Sequence, residues 1–250
     1  MPGCHNMISI LIPLYNEAEN ACRYPERLFP IADAIVKAHS EVCEYVLVND
    51  GSSDATYAEL NKLAQTQGNV IVVSYPVNKG MGGAIRTGLS RCSGQLIIMM
   101  DSDLTYRPED IEKLLATYER TGADCISGSP YRGKDLAKEI ASPFRLFISK
   151  AVNFLYRILL REDITCMSGI FRLYRKCALD ELTLESSNFE ICAEILAKLI
   201  LNKKSVHEIG VMVYTREFGE SKLNVKKEIR NNLRLLLRIF NAKYLGKAWQ

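Results

Sequence analysis

The sequence predicts an α/β fold, with a Rossmann-like, mostly parallel β-sheet flanked by helices in a single domain. In the first half of the 250-residue chain, short runs of Ile, Val and Leu are bounded by polar loops and do not alternate with polar residues. Such runs are typical of parallel strands that are buried on both faces. Between them lie helical patterns long enough to cross back to the next parallel strand. The composition, 48% hydrophobic and 24% charged, is that of a globular chain.

The elements follow in order along the chain. Strands are predicted at residues 9–14, 45–49, 70–74 and 95–100. The helices between them are predicted at residues 20–38, 55–67 and 82–90. In the second half, we predict helices at 142–160 and 188–201, strands at 168–174 and 206–214, and a helix from 225 to about 244. No Pro- or Gly-rich linker separates the halves, so we expect one domain over residues 1–250.

Composition and charge exclude several classes of protein. The net charge of +3 is too small to indicate nucleic-acid binding, so we expect no nucleic-acid partner. No apolar run approaches the roughly 20 residues of a membrane-spanning helix. No signal peptide is visible at the N-terminus, so we expect a cytoplasmic protein. The eight cysteines form no CxxC pair and no zinc-ligand pattern with histidine, and we expect reduced thiols.

In sheets of this kind, ligands bind beyond the carboxyl ends of the strands. Polar groups follow each of the first four predicted strands, at residues 13–17 (PLYNE), 49–54 (NDGSSD), 78–83 (NKGMGG) and 101–103 (DSD). We expect these groups to meet in one crevice, which is the candidate functional site.

The acidic pair Asp101 and Asp103 comes directly after the apolar run LIIMM at residues 96–100. Two carboxylates at the end of a buried strand are costly unless they share a cation. At this spacing they suit a Mg²⁺ or Mn²⁺ ion that also holds a diphosphate. The alternative is that they cap the helix that begins near Pro108.

The other strand-end loops allow two interpretations each. Asp50 suits hydrogen bonds from a nucleobase, although residues 50–54 also read as a turn with a helix N-cap. Tyr15 either packs on a base or belongs to a turn. The glycines at 80, 82 and 83 lack the third glycine of a dinucleotide fingerprint because position 85 is Ile, so we exclude an NAD site.

Charged residues in the C-terminal half are ambiguous in isolation. Arg216 and Lys222 flank a glycine turn and either bind a diphosphate or lie in a solvated loop. Glu190 and Glu194 lie at the start of a helix, where acidic residues also complement the helix dipole. Residues 224–250 form a basic amphipathic helix that docks either on a membrane surface or on the domain.

Together, these motifs resemble those of family 2 glycosyltransferases with the GT-A fold, and within that family the dolichyl-phosphate mannose synthase group. The resemblance covers residues 8 to about 240. Its motifs are 10–17 (ILIPLYNE), 48–54 (VNDGSSD), 78–80 (NKG), 100–104 (MDSDL), 168–176 (SGIFRLYRK) and 219–223 (GESKL). With this resemblance we expect a nucleotide-sugar-binding part at residues 8–128, an acceptor-side part at 129–223 and the helix at 224–250.

The resemblance also implies roles for individual residues. The implied nucleotide-sugar-binding residues are Pro13, Tyr15, Glu17, Val48, Asp50, Asp101, Ser102, Asp103, Arg216 and Lys222. The implied ligands of a Mg²⁺ or Mn²⁺ cofactor are Asp101 and Asp103. The candidate catalytic residues are Asp101, Asp103, Arg216 and Glu194, the last of which matches an acidic residue of the family. Residues 144–160 match the acceptor-side helix.

Two departures from the family pattern concern specificity. Asn49 stands where the family has an acidic residue before the aspartate of the second loop. Pro130 replaces the arginine of the family's Gly-Thr-Arg-Tyr sequence, and Arg132 is the candidate to take over its role.

The resemblance implies an inverting, metal-dependent transfer of a hexose, foremost mannose from GDP-mannose, to a polyprenyl or dolichyl phosphate at the cytosolic membrane face. A phosphate acceptor, with a second pKa of about 6, needs no general base. One alternative is transfer from a UDP-sugar to a hydroxyl group, for which Glu190 or Glu194 would be the base. Another is a non-catalytic nucleotide-sugar-binding subunit. The oligomeric state is left open.

Overall fold

Seven strands form one sheet in the computed structural model, which describes residues 7–39, 41–132, 143–218, 225–246 and 249, without the side chains of 143–147 and 225–226. The strands are β1 (Met7–Leu14), β2 (Val42–Asp50), β3 (Val70–Tyr75), β4 (Leu96–Met99), β5 (Cys125–Ser129), β6 (Arg172–Arg175) and β7 (Val206–Gly210). Their order across the sheet is β3-β2-β1-β4-β6-β5-β7.

The helices cover both faces of this sheet. They are α1 (Ala18–Ala21), α2 (Tyr24–Arg27), α3 (Phe29–Ala38), α4 (Thr56–Thr66), α5 (Met81–Leu89), α6 (Ile111–Thr121), α7 (Pro143–Leu160), α8 (Lys176–Asp180), α9 (Ile191–Leu201) and α10 (Val225–Leu245). A short 3₁₀ turn, Pro108–Asp110, precedes α6. Within the described residues, no helix combines the length and the apolar character needed to cross a membrane.

The sheet is mostly parallel, as the sequence predicts. Strand β1 pairs in parallel with both β2 and β4, β2 with β3, and β5 with β7. Strand β6 is antiparallel to both of its neighbours. The carboxyl ends of β1, β2, β3 and β4 therefore lie at one edge of the sheet, and the predicted fold class is confirmed.

Two apolar layers hold the helices against the sheet. On one face, Ile8, Ile10 and Ile12 of β1 pack in a cluster with residues of α3 and α6. On the other face, Leu11 and Val48 pack in a cluster with residues of α5 and α9. Because successive side chains of a strand point to opposite faces, β1 and β2 need apolar residues at nearly every position. This is why their sequences do not alternate.

Three predicted elements are wrong in extent. The helix predicted over residues 20–38 is three shorter helices, α1 to α3. Pro25 and Pro30 lie in the first turns of α2 and α3, where a missing N–H costs nothing, and each starts a new helix instead of continuing the old one. The strand predicted at 168–174 is confined to β6. The strand predicted at 206–214 ends with β7, and Val213 instead forms an isolated bridge with Tyr106.

Helix α5 approaches the loop before α9 very closely, and its glycines make this possible. The backbone N–H of Gly82 donates to the carbonyl of Ser187 at 3.0 Å. A Cβ atom at Gly82 would overlap the backbone carbonyl of Ser186. Only a residue without a side chain fits here, and this contact fixes the loop beside the carboxyl edge of the sheet.

Replacing Gly82 with alanine should therefore destabilise the fold. We expect Gly82→Ala to lower the free energy of unfolding by about 1–3 kcal/mol, because a backbone segment must move to admit the methyl group. Gly68→Ala is the matched control, since Gly68 is exposed with no atom near its would-be Cβ. Urea unfolding of both variants tests this; equal stabilities for the two would contradict it.

Candidate functional site

The strand-end loops meet in a cleft of about 290 Å³ at the carboxyl edge of the sheet. Seven of the predicted site residues line it: Pro13, Tyr15, Glu17, Asp50, Asp101, Ser102 and Arg216. They come from the ends of β1, β2 and β4 and from the segment after β7. The crevice expected from the strand ends is therefore present, and it brings together residues that are up to 203 positions apart in the chain, Pro13 and Arg216.

Two of the predicted nucleotide-sugar-binding residues, Val48 and Asp103, do not line the cleft. Val48 is fully buried in β2, with its side chain against α5 and not in the cleft. Asp103 does not line the cleft wall directly but contacts Arg216. Lys222 lies outside the described residues.

The loop that carries the acidic pair is held in one conformation. The backbone carbonyl of Ser102 accepts a hydrogen bond from the Tyr24 hydroxyl at 2.9 Å. The Asp103 carboxylate accepts a hydrogen bond from the backbone N–H of Thr105 at 3.0 Å. Leu104 between them has φ +53°, a left-handed conformation that non-glycine residues seldom adopt. Such backbone strain persists where surrounding contacts fix it, often at functional sites.

Negative charge accumulates at this loop. Arg216 Nε donates to Asp103 Oδ2 at 2.6 Å, and Arg216 Nη2 lies 3.3 Å from Glu17 Oε1. Burial, together with the neighbouring carboxylates of Asp103 and Glu17, raises the pKa of Asp101 to about 8, although Arg216 opposes the shift. The guanidinium of Arg216 thus offsets only part of the charge of three carboxyl groups.

These residues fit a divalent cation. Carboxylate oxygens are the ligands that Mg²⁺ and Mn²⁺ prefer, and a second positive charge would relieve the repulsion that raises the pKa of Asp101. Within the described part of the chain, however, no group of three or more His, Cys, Asp or Glu side chains has the arrangement of a metal site. A cation bound by Asp101 and Asp103 would need further oxygen ligands, such as those of a diphosphate.

The loop after β2 lines a different part of the cleft. The Asp50 carboxylate accepts hydrogen bonds from the Tyr75 hydroxyl at 2.7 Å and from the backbone N–H of Lys79 at 2.8 Å. Burial raises the pKa of Asp50, although these hydrogen bonds oppose the shift. Asp50 therefore joins the ends of β2 and β3, while Tyr15 presents a ring that is 37% exposed. A planar ligand has both a hydrogen-bond acceptor and an aromatic face here.

Glu194, a candidate catalytic residue from the sequence, lies away from the cleft. Its side chain is fully buried, and its carboxylate accepts hydrogen bonds from the backbone N–H groups of Glu185 and Ser186, at 3.1 and 2.8 Å. It also pairs with Lys198 at 3.3 Å. Glu194 does not line the cleft, because these backbone groups occupy its oxygens. It holds the loop that leads to the cleft residues Asn188 and Phe189.

The segment at the end of β5 and directly after it departs from the family pattern at Pro130. Ser129 Oγ lies 2.7 Å from Thr165 Oγ1, and the Tyr131 hydroxyl lies 2.9 Å from Ser149 Oγ. Arg132 pairs with Asp163 at 2.8 Å on an exposed surface. Arg132 is therefore not among the residues that line the cleft.

Two residues of the cleft, Asn188 and Phe189, were not among the predicted site residues, and they form one wall. Asn78 and Met81, the first residue of α5, also line the cleft, and both belong to the segment 78–83 that the sequence places there. Tyr24, which lies behind the acidic loop, was not predicted either. The only sequence signal for Asn188 and Phe189 is their position at the start of the helix predicted over 188–201.

Comparison with known proteins gives the family of the chain. The family model for Glycosyl transferase family 2 matches residues 9–183. The undecaprenyl-phosphate 4-deoxy-4-formamido-L-arabinose transferase of Proteus mirabilis (strain HI4320) is 30% identical over 225 residues, 90% of this chain and 65% of that protein. The transferase of the same name from Salmonella choleraesuis (strain SC-B67) is 31% identical over 226 residues, 89% of this chain and 64% of that protein. The chain thus spans slightly less than two thirds of the length of these relatives.

Among solved structures, glucosyl-3-phosphoglycerate synthase from Mycobacterium tuberculosis, in complex with Mn²⁺, uridine diphosphate and phosphoglyceric acid, matches with a TM-score of 0.67. The sequences are 17% identical, and the match covers 95% of this chain and 78% of that chain. This likeness shows the GT-A fold, and the resemblance drawn from the motifs is confirmed. Since the family model covers well over half of the residues, the chain belongs to glycosyl transferase family 2.

Proposed function

We propose that the protein is an inverting, metal-dependent glycosyltransferase that moves a sugar from a nucleotide sugar to a polyprenyl phosphate. The observation that carries this proposal is that Asp101 and Arg216 line the same cleft as Tyr15 and Asp50, and that Asp103 contacts Arg216 behind them. An acidic pair and a cation placed beside an aromatic ring suit a nucleoside diphosphate. The motif resemblance and the names of the relatives support the same reaction.

In this proposal the first two loops bind the nucleotide. Tyr15 packs on the base, Asp50 accepts hydrogen bonds from it, and Pro13 and Glu17 complete that end of the cleft. Asp101 and Asp103 hold the cation and, through it, the diphosphate, with Ser102 beside them. A Mg²⁺ or Mn²⁺ ion bound there supplies positive charge that stabilises the departing nucleoside diphosphate.

Arg216 acts on the same leaving group. Its guanidinium lies between Asp103 and Glu17 and lines the cleft together with Asp101. A cation held by neighbouring groups contributes strongly to transition-state stabilisation where negative charge develops beside it. Lys222, which lies outside the described residues, is proposed as a second diphosphate contact from the motif alone.

A phosphate acceptor fits the protonation chemistry of the site. It is largely dianionic near neutral pH and attacks without losing a proton to the protein. A hydroxyl acceptor would need a general base, and both sequence candidates are engaged elsewhere. Glu194 binds backbone N–H groups, and Glu190 Oε2 accepts from Asn231 Nδ2 at 3.1 Å. We therefore favour the phosphate acceptor over the hydroxyl alternative.

The identity of the donor's sugar and base is the most specific part of the proposal. The motif resemblance favours mannose from GDP-mannose. The two relatives carry the name of a different sugar, a formamido-arabinose, and Pro130 stands where the family has arginine. We propose GDP-mannose as the first donor to test, with UDP-sugars beside it.

We further propose that helices α7 and α10 rest on the cytosolic face of an anionic membrane. Their exposed apolar side chains form a lipid-facing stripe of Phe154, Leu155, Ile158, Leu233, Leu237, Phe240 and Tyr244. The helices are joined by the Tyr156 hydroxyl, which donates to Asn232 Oδ1 at 2.9 Å. Exposed arginines lie on the same two helices, at positions 157, 230, 234 and 238, of which Arg157 pairs with Asp163 and Arg238 with Glu185. Basic and apolar side chains exposed on the same helices suit anionic lipid headgroups above acyl chains.

The transferase reaction is tested with radiolabelled donors. We expect label from GDP-mannose or a UDP-sugar to enter an organic-extractable lipid when undecaprenyl phosphate and Mn²⁺ are present. Asp103→Asn and Arg216→Ala should each lower kcat by about 10²–10³-fold, because each removes stabilisation of the leaving group.

The matched control is Asp180→Asn. The Asp180 carboxylate is exposed and pairs with Lys176 after β6, at the opposite edge of the sheet, and its loss should leave kcat unchanged. Failure of every donor to label lipid would refute the proposed reaction. Full activity in Asp103→Asn would refute the metal assignment.

The charge at Asp101 predicts a pH-dependent stability. Its pKa is raised from 3.8 to about 8 in the folded protein, so the folded state holds this proton more tightly than the unfolded chain does. The stability contributed by the neutral acid is present at pH 4 and is lost as the pH rises towards 8, by as much as about 1.4 kcal/mol per pH unit.

Thermal unfolding between pH 4 and pH 8, without added metal, measures this effect. Asp101→Asn should flatten the slope, since the amide stays neutral, and Asp180→Asn should retain it. Adding Mn²⁺ and a nucleoside diphosphate to the wild type should also flatten it. Identical slopes in Asp101→Asn and wild type would show that Asp101 ionises normally.

The membrane surface is tested with vesicles that contain phosphatidylglycerol. Leu237→Glu places a charge in the lipid-facing stripe, at a side chain that is 63% exposed. We expect it to weaken cosedimentation about tenfold or more, the equivalent of one apolar side chain left in water. Val42→Glu, at an exposed position at the start of β2 and away from α7 and α10 in the sequence, is the control. Equal cosedimentation of both variants would count against the stripe.

A further inference from the structure

The single helical turn α2 contacts both halves of the candidate cation site. On one side, the buried Tyr24 side chain donates its hydroxyl hydrogen bond to the carbonyl of Ser102, inside the acidic loop. On the other side, Arg23 and Arg27 contact the segment at residues 214–218, here called the strap. The strap carries Arg216. One turn of helix therefore touches both the acidic pair and the guanidinium that faces it.

Two contacts join α2 to the strap. Arg27 Nη1 and Nη2 donate to the two carboxylate oxygens of Glu217, at 2.6 and 2.8 Å. The guanidinium of Arg23 lies over the ring of Phe218, 3.7 Å from its centroid. A bidentate arginine–carboxylate pair fixes direction as well as distance. The residues on both sides of this pair are thus held while Arg216 points to Asp103 and Glu17.

The geometry of the turn explains why these two arginines act together. Residues four positions apart lie on one face of a helix, so Arg23 and Arg27 face the strap side by side. Arg23 Nε also donates to the carbonyl of Glu19 at 3.2 Å, which orients its guanidinium. Tyr24, one position after Arg23, points to a different side of the turn, towards Ser102.

The opposite end of the strap is held independently. The backbone N–H of Tyr214 donates to the carbonyl of Thr105 at 2.9 Å. The guanidinium of Arg107 lies 3.6 Å from the centroid of the Tyr214 ring. Arg216 therefore sits between two fixed points, one at Tyr214 and one at Glu217 and Phe218. Loss of either would let its guanidinium move relative to Asp103.

We propose that α2 is a positioning element, in which Arg23 and Arg27 hold the strap and Tyr24 holds the acidic loop, so that the turn sets the separation between Arg216 and the Asp101–Asp103 pair. The proposal rests on the proposed function, in which Arg216 and the acidic pair share a diphosphate. Neither arginine is a catalytic residue, since each acts through Arg216. Exposed ion pairs add little to folding stability, so we expect the loss of this pair to change the stability little.

A charge exchange between Arg27 and Glu217 tests the proposal. Arg27→Glu and Glu217→Arg should each lower kcat about tenfold or more, because a small displacement of a positioned group is costly in the transition state. The double variant restores an ion pair and should recover kcat to within about threefold of wild type. Thermal unfolding should be the same for all of these proteins.

A second measurement separates positioning of Arg216 from general damage. Calorimetry in the presence of Mn²⁺ compares UDP and GDP with UMP and GMP, which lack the second phosphate. Arg27→Glu should weaken binding of the diphosphates and leave binding of the monophosphates unchanged. In an Arg216→Ala background, Arg27→Glu should have no further effect on kcat or on diphosphate binding.

The matched control is the exposed pair Lys204 and Glu181, 2.7 Å apart before β7, at the opposite edge of the sheet. Exchanging these charges should change neither kcat nor binding. Wild-type kcat in Arg27→Glu, equal loss of monophosphate binding, or an added loss in the Arg216→Ala background would each overturn the proposal. If the wild type binds UDP or GDP but labels no lipid, the proposed function fails, and the binding comparison still tests α2.

Discussion

The site depends on how negative charge is balanced at the carboxyl end of β4. Asp101 and Asp103 end a strand that is buried on both faces, where water screens charge poorly. Glu17 adds a third carboxylate, and Arg216 returns from the end of β7 to face them. This arrangement depends on the loop conformation at Leu104 and on the hydrogen bond from Tyr24. It also depends on the path of the strap.

The topology of the sheet brings the strand-end loops to one edge, and the connections between strands bring the residues that face these loops. Parallel pairing of β1 with both β2 and β4 brings three loops to one edge, which no sequence of hairpins would do. The antiparallel strand β6 leads into α8, and the connection from α8 to α9 carries Asn188 and Phe189, which line the cleft from the other side. The close approach at Gly82 fixes that wall against α5.

The sequence predicted the strand ends well, because buried parallel strands have a distinctive composition and the polar residues after them are adjacent in the chain. It did not predict pairings between distant residues. Arg27 and Glu217 are 190 positions apart, and nothing in either neighbourhood indicates the other. The predicted helix at 20–38 failed for a local reason, since Pro25 and Pro30 each begin a new helix. The helix expected to begin near Pro108 is α6, preceded by a 3₁₀ turn, and its Ile111, Leu114 and Leu115 recur at helical spacing.

Glu194 shows why a sequence motif cannot separate a catalytic acid from a structural one. An acidic residue in the first turn of a helix looks the same whether it faces a ligand or binds backbone N–H groups, and here it does the second. Glu208 does likewise, accepting from the N–H groups of Thr165 and Cys166. Carboxylates that are engaged in this way hold loops, and their oxygens are already occupied by hydrogen bonds. Only the position of such a residue in the folded chain distinguishes this structural role from a catalytic one.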